Sequence, residues 1–429
     1  MSSTEQATQC KWGSWLCESW SMCHDPDEGQ ARIELHDLKL SISQSLSSRE
    51  QIEWDRLASD ELSLHSRYLS ALTNTSSESL FWVQFHHHEQ LVGISLFTIA
   101  DFHGPSVNEH LGGQGLLSNI LGLLKIGNKP MSGRVLICGH STLIGRPAFL
   151  FHPTIMTREG SAALIAESLH VAAKRILSGL SKERAVDAVL FSGDQALDEL
   201  KTRGFVRFQT EPKLKMSLSS TWNSFDDYLT GLTSKYRVKM KRAYTKSAAL
   251  VERRLSADEV ESHSKRLKEL YHQVSTRASL TFNATEIDVL PALMRAAPQD
   301  VFVHGYELGQ ALIGFRVSLY HDRQLIAHLV GLDYAFSLEH ALYPRILNDY
   351  LSDGIKRRVR EIDFGRTAGE IKTTLGASPE SSSILLRHHH PVLARALPSI
   401  ARRVELSPFK VHSPFKSTLK DQRDELPSS

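Results

Sequence analysis

Cysteine is scarce in this chain of 429 residues. There are four, and three of them, Cys10, Cys17 and Cys23, stand near the start of the chain. Structural zinc sites usually bring cysteines in close pairs, and these gaps are wide. We therefore expect residues 1–30 to form a flexible leader whose thiols stay reduced. A zinc site formed by these cysteines and His24 is the alternative.

Long apolar runs and a strong net charge are also missing. No stretch approaches the ~20 apolar residues that a membrane-spanning helix needs. The first residues, MSSTEQATQCKWG, lack a basic start followed by an apolar core. The formal net charge of +2 makes no overall case for a protein that binds nucleic acid or membranes. These absences predict a cytoplasmic protein.

An activated nucleophile is the third feature that the sequence lacks. No G-x-S-x-G motif supplies a serine. Cys138 is the one cysteine beyond the leader, and it follows Val135, Leu136 and Ile137. A cysteine in such a run is most often a small buried hydrophobic residue, although His140 would share its strand face and could pair with a thiolate. We expect no covalent intermediate on this protein.

The stretch from Ala327 to Ala377 is the most informative part of the chain. LIAHLVGL has the length of a short strand, and REIDFG predicts a second strand that ends in Gly365. Between them an apolar face recurs at three- and four-residue steps, which predicts a helix; its members are Leu342, Ile346, Leu347, Tyr350, Leu351 and Ile355. A strand-helix-strand order with polar residues beyond the second strand places chemistry at the carboxyl edge of a sheet.

The amino-acid sequence of this stretch resembles the C-terminal half of the large acyltransferases of the GNAT superfamily, in the branch close to the Fem-type peptidoglycan peptidyltransferases. A second segment, WNSFDDYLTGLTSKYRVKMKRAY from Trp222 to Tyr244, resembles the start of the second domain in that branch. The usual acetyl-CoA loop of the superfamily, Q/R-x-x-G-x-G/A, is missing, and the equivalent turn reads LDYAFSLEHALY. The resemblance implies an α/β (α+β) fold of tandem GNAT-like domains, each a mixed twisted sheet flanked by helices.

The order of predicted elements supports two copies of one unit. Strand, helix, antiparallel strands, helix and strand follow one another in the first half and again from Leu250. The predicted parts are a leader over 1–30, an N-terminal GNAT-like domain over 31–217, a basic helical junction over 218–254, a C-terminal GNAT-like domain over 255–405 and an extended or flexible tail over 406–429.

The junction carries a basic cluster. Between Lys235 and Arg254 there are eight lysines and arginines and one acid, Glu252. The positive electrostatic field of these side chains favours binding of phosphate groups. Coenzyme A, a nucleotide-linked sugar and tRNA all carry phosphate. Arg237 and Arg242 are the preferred ligands because a guanidinium binds phosphate oxygens with two hydrogen bonds. A solvated helix face is the alternative.

Acyl transfer to an amine needs an oriented carbonyl, stabilisation of its oxygen, and groups that move protons. The candidate catalytic residues are His328, Asp333, Tyr334 and Lys372, and Gly365 and Arg366 are candidates for binding the donor. Asp363 is a further polar candidate. The structural alternatives are a satisfied core histidine at His328, a strand-end acceptor at Asp363 and a turn at Gly365.

Three functions remain open from the sequence. The first is transfer of an acyl group from acyl-CoA, as co-substrate and with no permanently bound cofactor, to an amine of an amino acid, amino sugar or small peptide. The second uses aminoacyl-tRNA as donor, as Fem-type enzymes do. The third is a non-catalytic module that binds a phosphorylated glycan or peptide. We expect no metal site, since the histidine triplets at 86–88 and 388–390 lack a carboxylate or cysteine partner at a spacing typical of metal sites.

Overall fold

The computed structural model describes most of the chain from Leu35 to Lys416. The described residues are 35–59, 61–75, 79–103, 132–140, 146–156, 160–181, 185–192, 197–275, 286–321, 323–403, 406 and 408–416. The predicted leader and the end of the predicted tail lie outside these residues. None of the described helices is long and apolar enough to cross a bilayer.

The chain forms two compact units, each assembled from separate stretches of sequence. Among the described residues, unit 1 draws on those within 35–103, 132–209 and 383–403, and unit 2 on those within 210–382 and 406–416. Each unit contains a mixed sheet with helices packed on it. This confirms the predicted α/β class with a mixed sheet in each half.

Unit 1 has an antiparallel sheet that ends in one parallel neighbour. Its strands are β1 (Leu38–Ser43), β2 (Ser79–His87), β3 (Gln90–His103), β4 (Ser132–Cys138), β5 (Phe149–Phe151) and β6 (Ala188–Ser192). Its helices are α1 (Ser48–Leu57), α2 (Ser66–Thr75), α3 (Pro153–Met156) and α4 (Ser161–Gly179), with short 3-10 turns at Leu35–Asp37, Leu62–Leu64 and Asp198–Arg203. The strand order is β1-β2-β3-β4-β6, β5 pairs with the start of β3, and only β4 and β6 run parallel.

Unit 2 repeats this arrangement. Its strands are β7 (Val206–Ser217, from Thr210 onward), β8 (Leu250–Leu255), β9 (Val301–Leu308), β10 (Ala311–His321), β11 (Gln324–Leu332) and β12 (Glu361–Asp363). Its helices are α5 (Phe225–Gly231), α6 (Ser234–Lys246), α7 (Ala257–Ser262), α8 (Ser264–Ser275), α9 (Glu286–Ala296), α10 (Tyr334–Ser337), α11 (Leu342–Lys356) and α12 (Gly369–Thr373). The order β8-β9-β10-β11-β12-β7 is antiparallel except between β11 and β12.

The strand that completes each sheet comes from a distant part of the sequence. In unit 1, β6 pairs with the end of β13 (Ser378–His388), which is followed by α13 (Pro391–Arg403). In unit 2, β12 pairs with β7, which precedes every other strand of that unit. The strand that completes each sheet is therefore not the next one along the chain after the other strands of that sheet.

Cys138 lies in the core of unit 1. Its side chain is fully buried among apolar residues such as Phe97, Leu136 and Phe191. Burial raises the pKa of the thiol to about 12, although the nearby Ser95 hydroxyl opposes the shift. The expectation of a small buried hydrophobic residue is confirmed, because a thiol with this pKa is not a thiolate at neutral pH.

The predicted amphipathic helix is α11. All six residues of the predicted apolar face are buried in the core of unit 2. After β8 the chain forms two helices, α7 and α8, which are separated at His263. At this junction the N–H of His263 donates to the carbonyl of Glu259.

A buried arginine links α11 to the sheet of unit 2. Arg316 on β10 is 1% exposed and donates hydrogen bonds of 2.6 Å to Glu252 on β8 and to Asp353 on α11. It also donates to the hydroxyl of Tyr306 on β9, at 3.0 Å. Four elements thus converge on one guanidinium, and the two carboxylates compensate its buried charge.

We expect Arg316→Met to destabilise unit 2 strongly. The substitution removes the cation and leaves Glu252 and Asp353 close together in a poorly solvated place, so the free energy of unfolding should fall by about 3–5 kcal/mol. Urea unfolding followed by circular dichroism measures the change. Arg295→Met is the matched control, because Arg295 pairs with Asp258 and Glu261 at the surface. Equal effects of the two substitutions would contradict the role given to Arg316.

Candidate functional site

A pocket opens where two parallel strands of unit 2 separate. β11 and β12 pair only from Gln324 to Ile326 and from Glu361 to Asp363. β11 then continues to Leu332, whereas the chain after β12 turns toward β7, where the N–H of Phe364 donates to the carbonyl of Leu214 at 2.8 Å. The space between the diverging chains is a cavity of about 460 Å³.

The turn after β12 is built by local backbone chemistry. The carboxylate of Asp363 accepts a hydrogen bond of 2.8 Å from the N–H of Gly365. Gly365 has φ of +70°, a conformation that glycine adopts without the strain of a side chain. An added Cβ would meet nothing within 4 Å, so backbone conformation and not space requires the glycine. Asp363 is thus a hydrogen-bond acceptor at the end of a strand, and Gly365 forms a turn. Both are the structural alternatives that the sequence analysis gave for these residues.

Aromatic and aliphatic side chains form most of the pocket wall. The lining residues are Tyr271, Val274, Ser275, Ala327, His328, Leu329, Val330, Leu332, Tyr334, Ser337, Tyr343, Leu347, Tyr350, Phe364, Gly365, Arg366, Thr367, Ala368 and Lys372. Five of them, His328, Tyr334, Gly365, Arg366 and Lys372, are site candidates from the sequence. None of these lining residues is acidic. The wall therefore suits a ligand that has an apolar body and a neutral or anionic polar group.

Lys372 is the most unusual group in the pocket wall. Its side chain is 4% exposed, and its Nζ donates a hydrogen bond of 2.5 Å to the carbonyl of Phe364. Burial lowers the pKa of this amine to about 8, and the negative charge of Asp363 only partly opposes the shift. A fraction of Lys372 is therefore neutral near pH 8 and can accept a proton.

His328 faces the same space from β11. Burial lowers the pKa of its imidazole to about 4, so the ring is neutral at physiological pH. A neutral imidazole has one nitrogen that donates and one that accepts. His328 on β11 and Lys372 on α12 thus both line the pocket as groups that can take up a proton.

Tyrosines provide hydroxyl groups around these two bases. Tyr350 is committed to the fold, because its hydroxyl lies 3.0 Å from the carbonyl oxygen of Val317 and 3.1 Å from that of Leu329. Burial raises the pKa of Tyr343 well above its usual value, and the neighbouring Tyr334 adds to the shift. Tyr343 is therefore protonated at any physiological pH.

Four of the predicted site residues, Asp333, Asp363, Arg237 and Arg242, stand outside the pocket wall. Asp333 caps α10 by accepting from the N–H of Ala335 at 3.1 Å, and it accepts a hydrogen bond of 2.7 Å from Arg266 on α8. Arg237 and Arg242 lie on α6 and do not line the cavity. A neighbour on α6, Lys239, reaches the hydroxyl of Thr374 at the end of α12, at 3.2 Å.

Sequence reasoning missed several wall residues. Tyr343 and Tyr350 stand seven positions apart on α11, and Leu347 lies between them, so the helical period carried a signal for this side of the wall. Tyr271 and Val274 come from α8, and their part in the pocket has no local signal because it depends on how α8 packs against β11.

Comparisons with known proteins found similar solved structures but no match in sequence. A scan against protein-family models and a sequence search of curated proteins found no match. Solved structures similar to this chain are Fem-type and GNAT-type proteins. FemX is 9% identical, with a TM-score of 0.47, over 80% of this chain and 96% of its own. A tandem GNAT protein from the clavulanic acid biosynthesis pathway is 11% identical, with a TM-score of 0.45, over 82% of this chain and 99% of its own.

A third similar structure is L-PGS from Bacillus licheniformis. It is 10% identical, with a TM-score of 0.44, over 83% of this chain and 96% of its own. FemX and the tandem GNAT protein are of the kinds that the resemblance in sequence named. Likenesses at this level of identity concern the fold and leave the activity to the chemistry of the pocket.

The buried amine of Lys372 predicts a specific dependence of stability on pH. Its pKa is lowered from 10.5 to about 8 in the fold, so between these values the unfolded chain binds more protons than the folded chain. The free energy of unfolding therefore rises with pH across this window, by on the order of 3 kcal/mol. Below pH 8 the folded protein carries the full penalty of a buried charge.

Lys372→Met tests this prediction. The difference in free energy of unfolding between the original chain and the variant, measured in urea at several pH values, should favour the variant at pH 7. That advantage should shrink as the pH rises through 8 toward 10.5. A difference that stays constant from pH 7 to 10 would contradict the shifted pKa of Lys372.

Proposed function

We propose that this protein is an N-acyltransferase that transfers an acyl group from acyl-CoA to an amine of an amino acid, amino sugar or small peptide. The observation that carries the proposal is the opening between β11 and β12, because it combines an unpaired strand edge with two proton acceptors, His328 and Lys372. The absence of acidic residues among those that line the cavity also supports it, since nothing there would hold the acceptor as an ammonium ion.

The donor carbonyl is proposed to lie against β11. Beyond Ile326 this strand pairs with β10 on one edge, and its other edge faces the cavity at Ala327 to Val330. Backbone N–H groups at such an edge donate hydrogen bonds to a carbonyl oxygen. Because these donors are fixed by the sheet before the reaction starts, they stabilise the negative charge that develops on the oxygen.

The transfer is proposed as a direct attack. The nitrogen of the amine forms a bond to the acyl carbon, and its proton passes to the neutral amine of Lys372 or to His328. The bond from carbon to sulfur then breaks, and the departing thiolate takes a proton from a hydroxyl such as that of Tyr334. The proton that Lys372 or His328 took up then returns to this hydroxyl, which restores the protein. The products are an amide and free coenzyme A.

No step of this mechanism uses Cys138. Its thiol is buried in unit 1, and burial raises its pKa to about 12, so it is a poor nucleophile. Mass spectrometry of protein incubated with acyl-CoA alone should therefore show no acylated protein. A thioester trapped on Cys138 would contradict the direct route.

Activity measurements with a panel of acyl-CoA donors and amine acceptors test the proposed function. Release of free thiol should depend on both substrates. Lys372→Met should lower kcat by about 10²–10⁴-fold if this lysine accepts the proton. The exposed Arg295 provides the matched control, since Arg295→Met leaves the pocket unchanged.

The pH profile distinguishes the two proton acceptors. If Lys372 is the base, kcat/KM should rise up to a pH of about 8, where its amine becomes neutral. If His328 is the base, the rate should be flat above a pH of about 4. No thiol release with any donor and acceptor would contradict an acyl-CoA-dependent transferase.

A second candidate function is transfer from aminoacyl-tRNA. The observation that favours it is the exposed basic face of α6, which carries Lys235, Lys241, Arg242 and Lys246. This helix contacts the end of α12 through Lys239, so its charge lies in the same unit as the pocket. A polyanionic donor such as aminoacyl-tRNA would gain more binding free energy from this basic face than coenzyme A would.

Salt dependence separates this second candidate from the first. Binding of aminoacyl-tRNA to the full chain should weaken steeply as the salt concentration rises, and Arg242→Ala with Lys246→Ala should reduce the slope. Binding that is independent of salt, or a transfer assay without product, would argue against tRNA. If neither donor supports transfer while the protein still binds a phosphorylated ligand, a non-catalytic binding module is the conclusion.

A further inference from the structure

The end of the described chain crosses the outer surface of the pocket's own helix. We use the word strap for residue 406 and residues 408–416, which form no helix. The strap belongs to unit 2, and the tripeptide Pro-Phe-Lys occurs in it twice, at 408–410 and 414–416. Its contacts fall on α5, α6 and α12, and α12 is the helix that carries Lys372.

The two ends of the strap are fixed differently. At its C-terminal end Phe415 stacks on Trp222 at a ring distance of 5.9 Å, and Leu232 and Phe415 form an antiparallel bridge. The N–H of Thr233 donates to the carbonyl of Pro414 at 2.9 Å, and that of Lys416 donates to Gly231 at 3.1 Å. This end is therefore anchored beside α5.

The other end of the strap packs directly on α12. The ring of Phe409 occupies the place that a side chain at Gly369 would fill, because a Cβ built there would lie 2.6 Å from the ring. The hydroxyl of Thr373 accepts from the N–H of His412 at 3.1 Å. The His412 ring lies 2.9 Å from the hydroxyl of Tyr236 and 3.2 Å from the carboxylate of Glu370.

These contacts surround α12, a helix that is too short to be stable by itself. α12 has five residues and starts from Ala368 at φ of +55°, and a single turn of helix has little stability of its own. On its inner side it bears Lys372, whose Nζ reaches the carbonyl of Phe364. Packing of the strap therefore adds to the few contacts, such as that of Lys239 with Thr374, that keep this lysine in the pocket wall.

We propose that the strap is a positioning element of the pocket: by packing Phe409 and His412 on α12, it holds Lys372 inside the cavity. Phe409 and His412 do not line the cavity, so they act through α12 and not on a ligand. The inference concerns the geometry of the pocket, and it holds whichever donor the protein uses.

The test reads the ionisation of Lys372 without any substrate. Competitive labelling of the full chain with acetic anhydride at a series of pH values, followed by mass spectrometry of the peptide that contains Lys372, gives the pH at which this amine becomes reactive. The midpoint should lie near 8 in the original chain. The charged or titratable neighbours around Lys372 and the pocket are all kept; they are Asp363, Arg366, His328, Glu370 and the wall tyrosines Tyr271, Tyr334, Tyr343 and Tyr350.

Two substitutions disturb the contact from opposite sides. Gly369→Ala adds a methyl group where the Phe409 ring lies, and Phe409→Ala removes the ring. Each should expose Lys372 and move its midpoint upward by about one pH unit, toward the ordinary value for lysine. The double variant should shift no further than either single variant, because both changes break the same contact.

Val411→Ala is the matched control within the strap, since Val411 is 57% exposed, and it should leave the midpoint unchanged. Circular dichroism confirms that each variant is folded. Identical midpoints in the original chain, Gly369→Ala and Phe409→Ala would overturn the proposal. Failure of acyl transfer in the original chain would leave these midpoints unaffected, so the two hypotheses are tested separately.

Discussion

The buried guanidinium of Arg316 is the interaction on which the architecture of unit 2 depends. It joins strands β8, β9 and β10 to helix α11 through Glu252, Tyr306 and Asp353. A buried charge is tolerated only where its hydrogen bonds are satisfied, so α11 can occupy only the position that brings Asp353 to Arg316. The same helix supplies Tyr343 and Tyr350 to the pocket, and the guanidinium of Arg316 lies over the ring of Tyr350 at 5.1 Å. The polar core thereby fixes one wall of the cavity.

A second carboxylate extends this network toward the basic helix. Asp349 on α11 accepts hydrogen bonds from Tyr306 at 2.8 Å and from Tyr244 on α6 at 3.1 Å, and it pairs with Arg345. Burial, reinforced by the charge of Glu252, raises the pKa of Asp349 to about 6. The helix that carries the phosphate-binding candidates is thus tied to α11. α6 also contacts the end of α12, so one network and one short helix link the basic face to the pocket.

Much of unit 2 was predictable because its signals are local. The period of apolar residues defined α11, the run LIAHLVGL defined most of β11, and Gly365 marked the turn after β12. The grouping of His328, Tyr334, Arg366 and Lys372 around one cavity also followed from strand order, since residues at the carboxyl ends of neighbouring parallel strands meet at one edge. Asp333 has a different position because its carboxylate caps α10 and binds Arg266. The cap is a local contact, whereas Arg266 is 67 residues away in the sequence.

The sequence by itself determined the α/β class, the repeated order of elements, the amphipathic helix and the burial of Cys138, since each depends on residues that are close together in the chain. Tertiary structure decided which strands complete each sheet, because β7 and β13 pair with strands that are not their neighbours in the sequence. It also decided the ionisation of Lys372 and His328. Their pKa values depend on burial by α8, α11 and the turn after β12, and burial is a property of the packed chain rather than of neighbouring residues.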